Sequence, residues 1–169
     1  MPTAQREAAA AAAERRATEI LTRYGLAAPP VELEEICRRE GLAVCARPFD
    51  YVAGIFVNDG VFPVIVVNSR DRRTRQRFTL AHELGHYFLR HRRKSFAEPG
   101  GKSPLEREAN RFAASLLMPA AWVRRSWKDY ASNSENRLPL LAELFEVSQA
   151  AMEVRVKELG LNGPPRPRR

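Results

Sequence analysis

The segment RFTLAHELGHYFLRH, residues 77–91, holds all three histidines of the chain. His82 and His86 stand four residues apart. On a helix that spacing sends both rings off one face, about one turn from each other, so two imidazole nitrogens can meet one metal ion at about 2.0–2.1 Å. Glu83 lies one residue round from His82, too close in sequence to share the ion comfortably but well placed to hold a water lying on it. Zinc with three protein ligands keeps a fourth position for water and lowers that water's pKa to about 7. A carboxylate at position 83 then accepts the proton as hydroxide attacks a peptide carbonyl, and later delivers it to the leaving amine. This is the H-E-x-x-H arrangement. Five residues also occur by chance on surface helices, so the surroundings have to decide.

The period of the apolar residues sets those surroundings. An Ala/Glu/Arg helix is predicted over about 4–24, ending near Gly25, and a second over 31–41, with Leu33, Ile36 and Cys37 on one face. LAVCARPF, YVAGIFV and VFPVIVVNS then read as short strands, with Asn58-Asp59-Gly60 as a hairpin turn between the last two. A helix over about 72–90 carries the histidines. Gly85 in its middle costs about 1 kcal/mol relative to alanine, and the close approach of another backbone would account for it. Ser103 and Pro104 suit an N-cap and first turn, so PLEREANRFAASLLM is the next helix. It offers Glu106 and Asn110 four residues apart. AAWVRRSWKDY, LPLLAELFE and SQAAMEVRVKELG complete the chain as shorter helices. The expected fold is α+β: a small, mostly antiparallel curved sheet packed on the H-E-x-x-H helix, then a helical C-terminal part.

RFTLAHELGHYFLRH followed about twenty residues later by EREANRFAASLLMP resembles the ImmA/IrrE family of metallo-endopeptidases, zincins of the gluzincin type. The resemblance extends loosely over residues 30–160 and includes VVNS and the closing LAELFEVSQAAMEVRVKELGL. It implies a zinc endopeptidase with a narrow target, usually a helix-turn-helix transcriptional repressor whose cleavage derepresses phage, mobile-element or stress-response genes. Matched position by position, it makes His82 and His86 zinc ligands, Glu83 the catalytic glutamate, Glu106 the third ligand and Asn110 a partner of a ligating histidine. Manganese remains open as the metal.

Glu108 is the competing third ligand. Glu106 and Glu108 lie roughly 200° apart around a helix, so only one faces the histidines. Glu106, Ala109, Asn110, Ala113 and Leu117 form a single stripe with small residues where helices must approach closely, which favours Glu106. Asn110 can accept the outer N–H of a ligating histidine and fix its tautomer. His91, rotated about 140° from His86, cannot join the metal from a continuous helix; it reads as a helix-end histidine, with a substrate contact as the alternative. Tyr87 is a minor candidate for an oxyanion donor. Cys45 precedes His82 at a spacing reminiscent of peptide deformylases, but LAVCARPF lacks their glycine-rich cysteine motif. Cys37 and Cys45 form no C-x-x-C pair and read as reduced core thiols.

Composition bounds the rest. The chain has 169 residues, 44% hydrophobic and 28% charged, enough for one packed domain. No apolar run approaches a membrane span. Arg6, Glu7, Glu14, Arg15 and Arg16 interrupt the alanine-rich start, so it reads as an amphipathic helix rather than a signal peptide, and the protein as cytoplasmic. A net charge of +8 suits an acidic partner, although no aromatic-basic interleaving of the RNA-binding kind accompanies it. The arginines of SRDRRTRQR could attract an acidic substrate segment. Along the chain we expect an N-terminal helix and linker (1–29), a zincin-like core (30–130), a helix-turn-helix-like subdomain (131–160) and a disordered basic tail (161–169). The segment 141–160 raises the alternative of a DNA-binding or metal-sensing regulator with little turnover. Against DNA reading, Glu146 stands where the tight turn often has glycine, and Met152, Val156 and Leu159 are spaced as an ordinary packed helix. Nucleic acid is therefore not the favoured partner.

Overall fold

The computed structural model describes residues 3–57, 62–91, 103–132 and 135–161. The turn at Asn58-Asp59-Gly60, the loop containing EPGGK and the basic tail lie outside the described residues. Helix α1 (Thr3–Tyr24) opens the chain, and Ala13, Ala17, Ile20 and Leu21 form its buried stripe. Gly25, at φ +67, takes the left-handed conformation that ends it. Helix α2 (Leu33–Arg39) buries Leu33, Ile36 and Cys37.

Three strands follow: β1 (Ala43–Arg47), β2 (Gly54–Val57) and β3 (Val64–Asn68). Their order is β1-β3-β2, so β3 is the middle strand. β2 pairs antiparallel with β3, Gly54 opposite Val67 and Val57 opposite Val64. β1 runs parallel to β3, Ala43 opposite Val64 and Arg47 opposite Asn68. The sheet is thus small and mixed, whereas a mostly antiparallel one was expected. β1 and β2 flank β3 on opposite sides, so the chain crosses from one edge of the sheet to the other between residues 47 and 54. Strand direction in such a crossing is invisible to local periodicity.

Asn68 organises that crossing from a buried position. Its amide nitrogen donates to the carbonyls of Phe49 and Val52, at 2.9 Å each, while its Oδ1 accepts from the backbone N–H of Phe49 and of Arg70 at 3.1 and 3.0 Å. Buried amide groups left without partners would each cost about 1–3 kcal/mol. One side chain therefore ties the loop before β2 to the entry of the next helix.

Helix α3 (Arg73–Phe88) ends two residues earlier than its periodicity suggests. Arg90 there takes φ +55, the left-handed cap usually given to glycine. Helix α4 (Pro104–Leu117) begins as expected: Ser103 Oγ accepts from the N–H of Glu106 at 3.2 Å, with Pro104 in the first turn. Helices α5 (Ala120–Asp129), α6 (Arg137–Leu144) and α7 (Gln149–Glu158) close the chain. Phe112, Leu116, Leu141, Phe145, Met152 and Val156 are fully buried and share one core with Ile20 of α1 and Leu84 of α3. Burial of each such side chain contributes about 1.5–3 kcal/mol. The N-terminal helix and the C-terminal pair therefore pack into the core that carries α3.

Candidate metal centre

Two helices build the centre, and one glycine sets their separation. α3 lies against α4, and a Cβ added at Gly85 would stand 3.1 Å from both Cα and O of Ala109 and 3.2 Å from Phe112. Only a residue without a side chain lets α4 come this close. The cost of a mid-helix glycine thus has the cause inferred from sequence, a second backbone packed on it.

At that separation α4 delivers a carboxylate to the two histidines. His82 Nε2 and His86 Nε2 are 3.1 Å apart. Glu106 Oε2 is 3.0 Å from His82 Nε2, and Glu106 Oε1 is 3.3 Å from His86 Nε2. A tetrahedron with arms of about 2.0–2.1 Å has edges of about 3.3–3.4 Å, so the three donors stand close to the spacing a zinc-sized ion imposes. Among the described residues, His82, His86 and Glu106 are the His/Cys/Asp/Glu group close enough to hold an ion together. The donor set, two imidazoles and one carboxylate, also suits such an ion chemically.

Asn110 completes the His82 side. Its Oδ1 lies 3.0 Å from His82 Nδ1. An amide oxygen only accepts, so Nδ1 carries the proton and Nε2 keeps its lone pair toward Glu106. Glu106 and Asn110 thus face α3 together, as their i, i+4 spacing requires.

Glu83 is buried, at 3% exposure. It lies under β2, where a Cβ on Gly54 would be 3.9 Å from Glu83 Cγ and only 2.4 Å from Thr79 Cγ2. Gly54 is therefore a second place where a missing side chain lets elements meet at the site, and sequence reading passed over it. β2 is an edge of the sheet, while β3 has a partner on each side. A central strand such as β3 has no open main-chain edge on which an extended segment could add.

The remaining candidates separate. Cys45 lies on β1, outside the metal group, and Cys37 is a buried free thiol pushed up to about 12 by burial, with Glu34 adding to the rise. Tyr87 donates its O–H to Glu40 Oε2 at 2.8 Å, and Tyr24 bonds the other oxygen of the same carboxylate. Burial first and the Glu40 hydrogen bond second push Tyr87 up to about 12, so its hydroxyl serves α2 as a neutral donor. Among the basic residues before the histidines, Arg70 pairs with Asp50 and Arg77 approaches Glu146 at 3.3 Å. Arg72 and Arg75 line an open groove with Phe78, Ser148 and Ala151. Glu108 does not join the metal group. It lies 3.4 Å from His91 Nε2, and His91 Nδ1 lies 3.0 Å from His86 Nδ1.

The α6–α7 pair is packed rather than presented. Met152 and Val156 are fully buried, and Glu146 in the turn takes φ +51. Arg155, 1% exposed, donates to the Met118 carbonyl at 3.0 Å and pairs with Glu14 and Glu158 at 3.0 and 3.2 Å. An arginine spent in this way cannot reach a base edge or a phosphate. No helix among the described residues is long and apolar enough to cross a membrane.

Residues 37–157 match the peptidase family described as the IrrE N-terminal-like domain. The chain is 23% identical over 130 residues to the metallopeptidase ImmA of Bacillus subtilis, covering 75% of each chain. It is 32% identical over 123 residues to the radiation response metalloprotease IrrE of Deinococcus deserti, covering 68% of this chain but 43% of that protein.

Proposed function

The chain belongs to the ImmA/IrrE family of metallo-endopeptidases, and from that premise we propose that it cuts a helix-turn-helix transcriptional repressor at one site, using zinc held by His82, His86 and Glu106. The convergence of those three side chains from α3 and α4 is the observation that carries this reading.

Zinc bound there supplies Lewis acidity toward a peptide carbonyl and makes a water acidic enough to ionise near neutral pH. The chain's own groups do the rest. His82 and His86 present Nε2 lone pairs, and Asn110 Oδ1, by accepting from His82 Nδ1, holds one ring in the tautomer that has such a lone pair. The carboxylate of Glu83 takes the proton from the attacking water and returns it to the nitrogen of the leaving amine. Its burial under β2 keeps bulk water from competing for that proton. Among the described residues β2 forms an edge of the sheet, the natural place for an extended substrate segment to add as a strand, its main chain giving affinity and its side chains specificity.

The repressor reading rests on the family resemblance, with a net charge of +8 suiting an acidic protein partner. A DNA-reading role gains nothing from α7, whose Arg155 is buried. The test incubates the zinc-loaded chain with candidate helix-turn-helix repressors from the same cell, those of neighbouring reading frames first. Mass spectrometry should find a single cut in an extended loop of one such repressor, absent with Glu83→Gln. An uncut repressor, or equal cutting by both forms, overturns the proposal.

A further inference from the structure

The two ligating histidines are supported by unequal means. His82 gives its Nδ1 proton directly to Asn110, whereas His86 Nδ1 faces another histidine, His91, at 3.0 Å. For His86 to offer Nε2 to a metal, its Nδ1 must carry the proton and donate it. His91 Nδ1 is then the acceptor, so the proton of the neutral His91 ring sits on Nε2. That nitrogen points at the carboxylate of Glu108, Oε2 at 3.4 Å, which accepts. Each link demands the next, and with both rings neutral the tautomers that satisfy the whole chain turn the His86 Nε2 lone pair toward Glu106 and the proposed ion.

We propose that His91 and Glu108 form a positioning relay that fixes the tautomer and ring orientation of His86 and thereby tightens metal binding at His82, His86 and Glu106. The inference rests on the metal-centre reading of the preceding section.

The relay has a structural origin. α3 ends in a paired-hydrogen-bond cap: the N–H of His91 reaches the carbonyl of His86 at 3.0 Å, and the N–H of Arg90 reaches that of Tyr87 at 3.1 Å. In such a cap the residue two beyond the helix end touches the residue three before it, a contact usually made by apolar side chains. Here those positions are His91 and His86. Arg90 at φ +55 turns the chain back and carries His91 to the ring edge of His86, with ring centroids 5.0 Å apart. The side chain of His91 is 5% exposed and that of Glu108 26%, so the first link is dry and the second opens to the surface. Along α4, Asn110 meets the outer nitrogen of His82 directly, and Glu108 meets that of His86 through His91.

The test measures zinc affinity by chelator competition, with the absorption spectrum of the cobalt-loaded chain as a second readout. Loss of an outer hydrogen-bond partner of a ligating histidine typically costs 10- to 100-fold in metal affinity. We expect a loss in that range for His91→Phe, which keeps an aromatic ring but cannot accept from His86 Nδ1, with a changed cobalt spectrum. Glu108→Ala should lose about 10-fold, and Glu108→Gln should recover most of it, because an amide oxygen still accepts from His91 Nε2. The double variant should be no weaker than His91→Phe alone, since Glu108 acts through His91. Thermal melting of the metal-free chains reports folding. If His91→Phe does not fold, the two variants at the partly exposed Glu108 decide by loss and rescue. Affinities within twofold of the parent for His91→Phe and Glu108→Ala, or a Glu108→Gln variant as weak as Glu108→Ala, overturn the relay. His82→Ala runs in parallel: if it too binds zinc like the parent, the metal centre itself is wrong, whereas its failure to bind beside normal relay variants removes only the relay.

Discussion

Helix α4 carries two polar surfaces of opposite character. Toward α1 and α7 it presents Arg111, which pairs with Glu14 at 3.2 Å and Glu158 at 2.8 Å, while Arg155 pairs with the same two carboxylates at 3.0 and 3.2 Å. Two cations meet two anions, and the group is closed. Toward α3 the same helix presents Glu106 to His82 and His86, three electron-pair donors gathered within about the edge length of a zinc tetrahedron. That donor set suits a cation. The first surface joins helices distant in sequence; the second is, in the reading proposed above, a seat for a metal ion. Perturbations should therefore divide cleanly between fold and chemistry.

The largest expected effect is purely chemical. Glu83→Gln should fold, keep its zinc and lose at least about 10²-fold in cleavage rate, because the amide cannot take the water's proton. Initial rates with elemental analysis check it, and a variant that lost metal and stability together would blur the two surfaces into one.

Arg155→Ala tests the opposite face. It leaves the Met118 carbonyl, Glu14 and Glu158 short of a buried donor. Breaking a fully buried pair costs about 3–5 kcal/mol, and the partial exposure of the two glutamates lowers the expectation to about 2–3 kcal/mol. Denaturant melts should show that loss while chelator competition finds an unchanged zinc affinity.

Gly85→Ala strikes where the surfaces share a backbone. With Ala109 only 3.1 Å from the new methyl, overpacking of about 1–3 kcal/mol is expected. The separation of α3 and α4 that sets the ligand spacing should widen too, so stability and zinc affinity should fall together, unlike in either variant above.

A smaller effect follows from acid. Burial raises the pKa of Glu14, but the hydrogen bonds and charges of Arg155 and then Arg111 outweigh it and hold the carboxyl below its ordinary value of 4.5. A depressed carboxyl stabilises the fold above its unfolded pKa, and that contribution disappears as pH falls through the folded value. Metal-free chains compared between pH 6 and pH 3 should lose stability with falling pH, and Glu14→Gln should lose less across the same range.

Much of the site was legible because its logic is local. The i, i+4 histidines, the Ser103-Pro104 cap and the Glu106/Asn110 stripe each lie within a single helix, where spacing fixes facing. Gly85 announced a close packing without naming its partner. What escaped the sequence is what depends on partners far along the chain. Nothing in LAVCARPF says that β1 will join β3 in parallel, or that β3 will be covered on both edges. Nothing near VVNS shows that Asn68 will gather a loop around its amide. His91 was set aside by assuming a continuous helix, and the left-handed turn at Arg90, with no glycine to mark it, carries it back to His86. The Ala-rich helix lies outside the matched family segment, yet its Glu14 is held by arginines from α4 and α7.

The most direct test of the central assignment is metal content. Purified parent chain and its Glu106→Ala variant, dialysed against the same dilute zinc, should differ plainly: about one zinc per chain in the parent and almost none in the variant, with helical circular dichroism retained in both. Equal zinc in the two proteins would contradict the assignment of Glu106 and, with it, the metal centre built on α3 and α4.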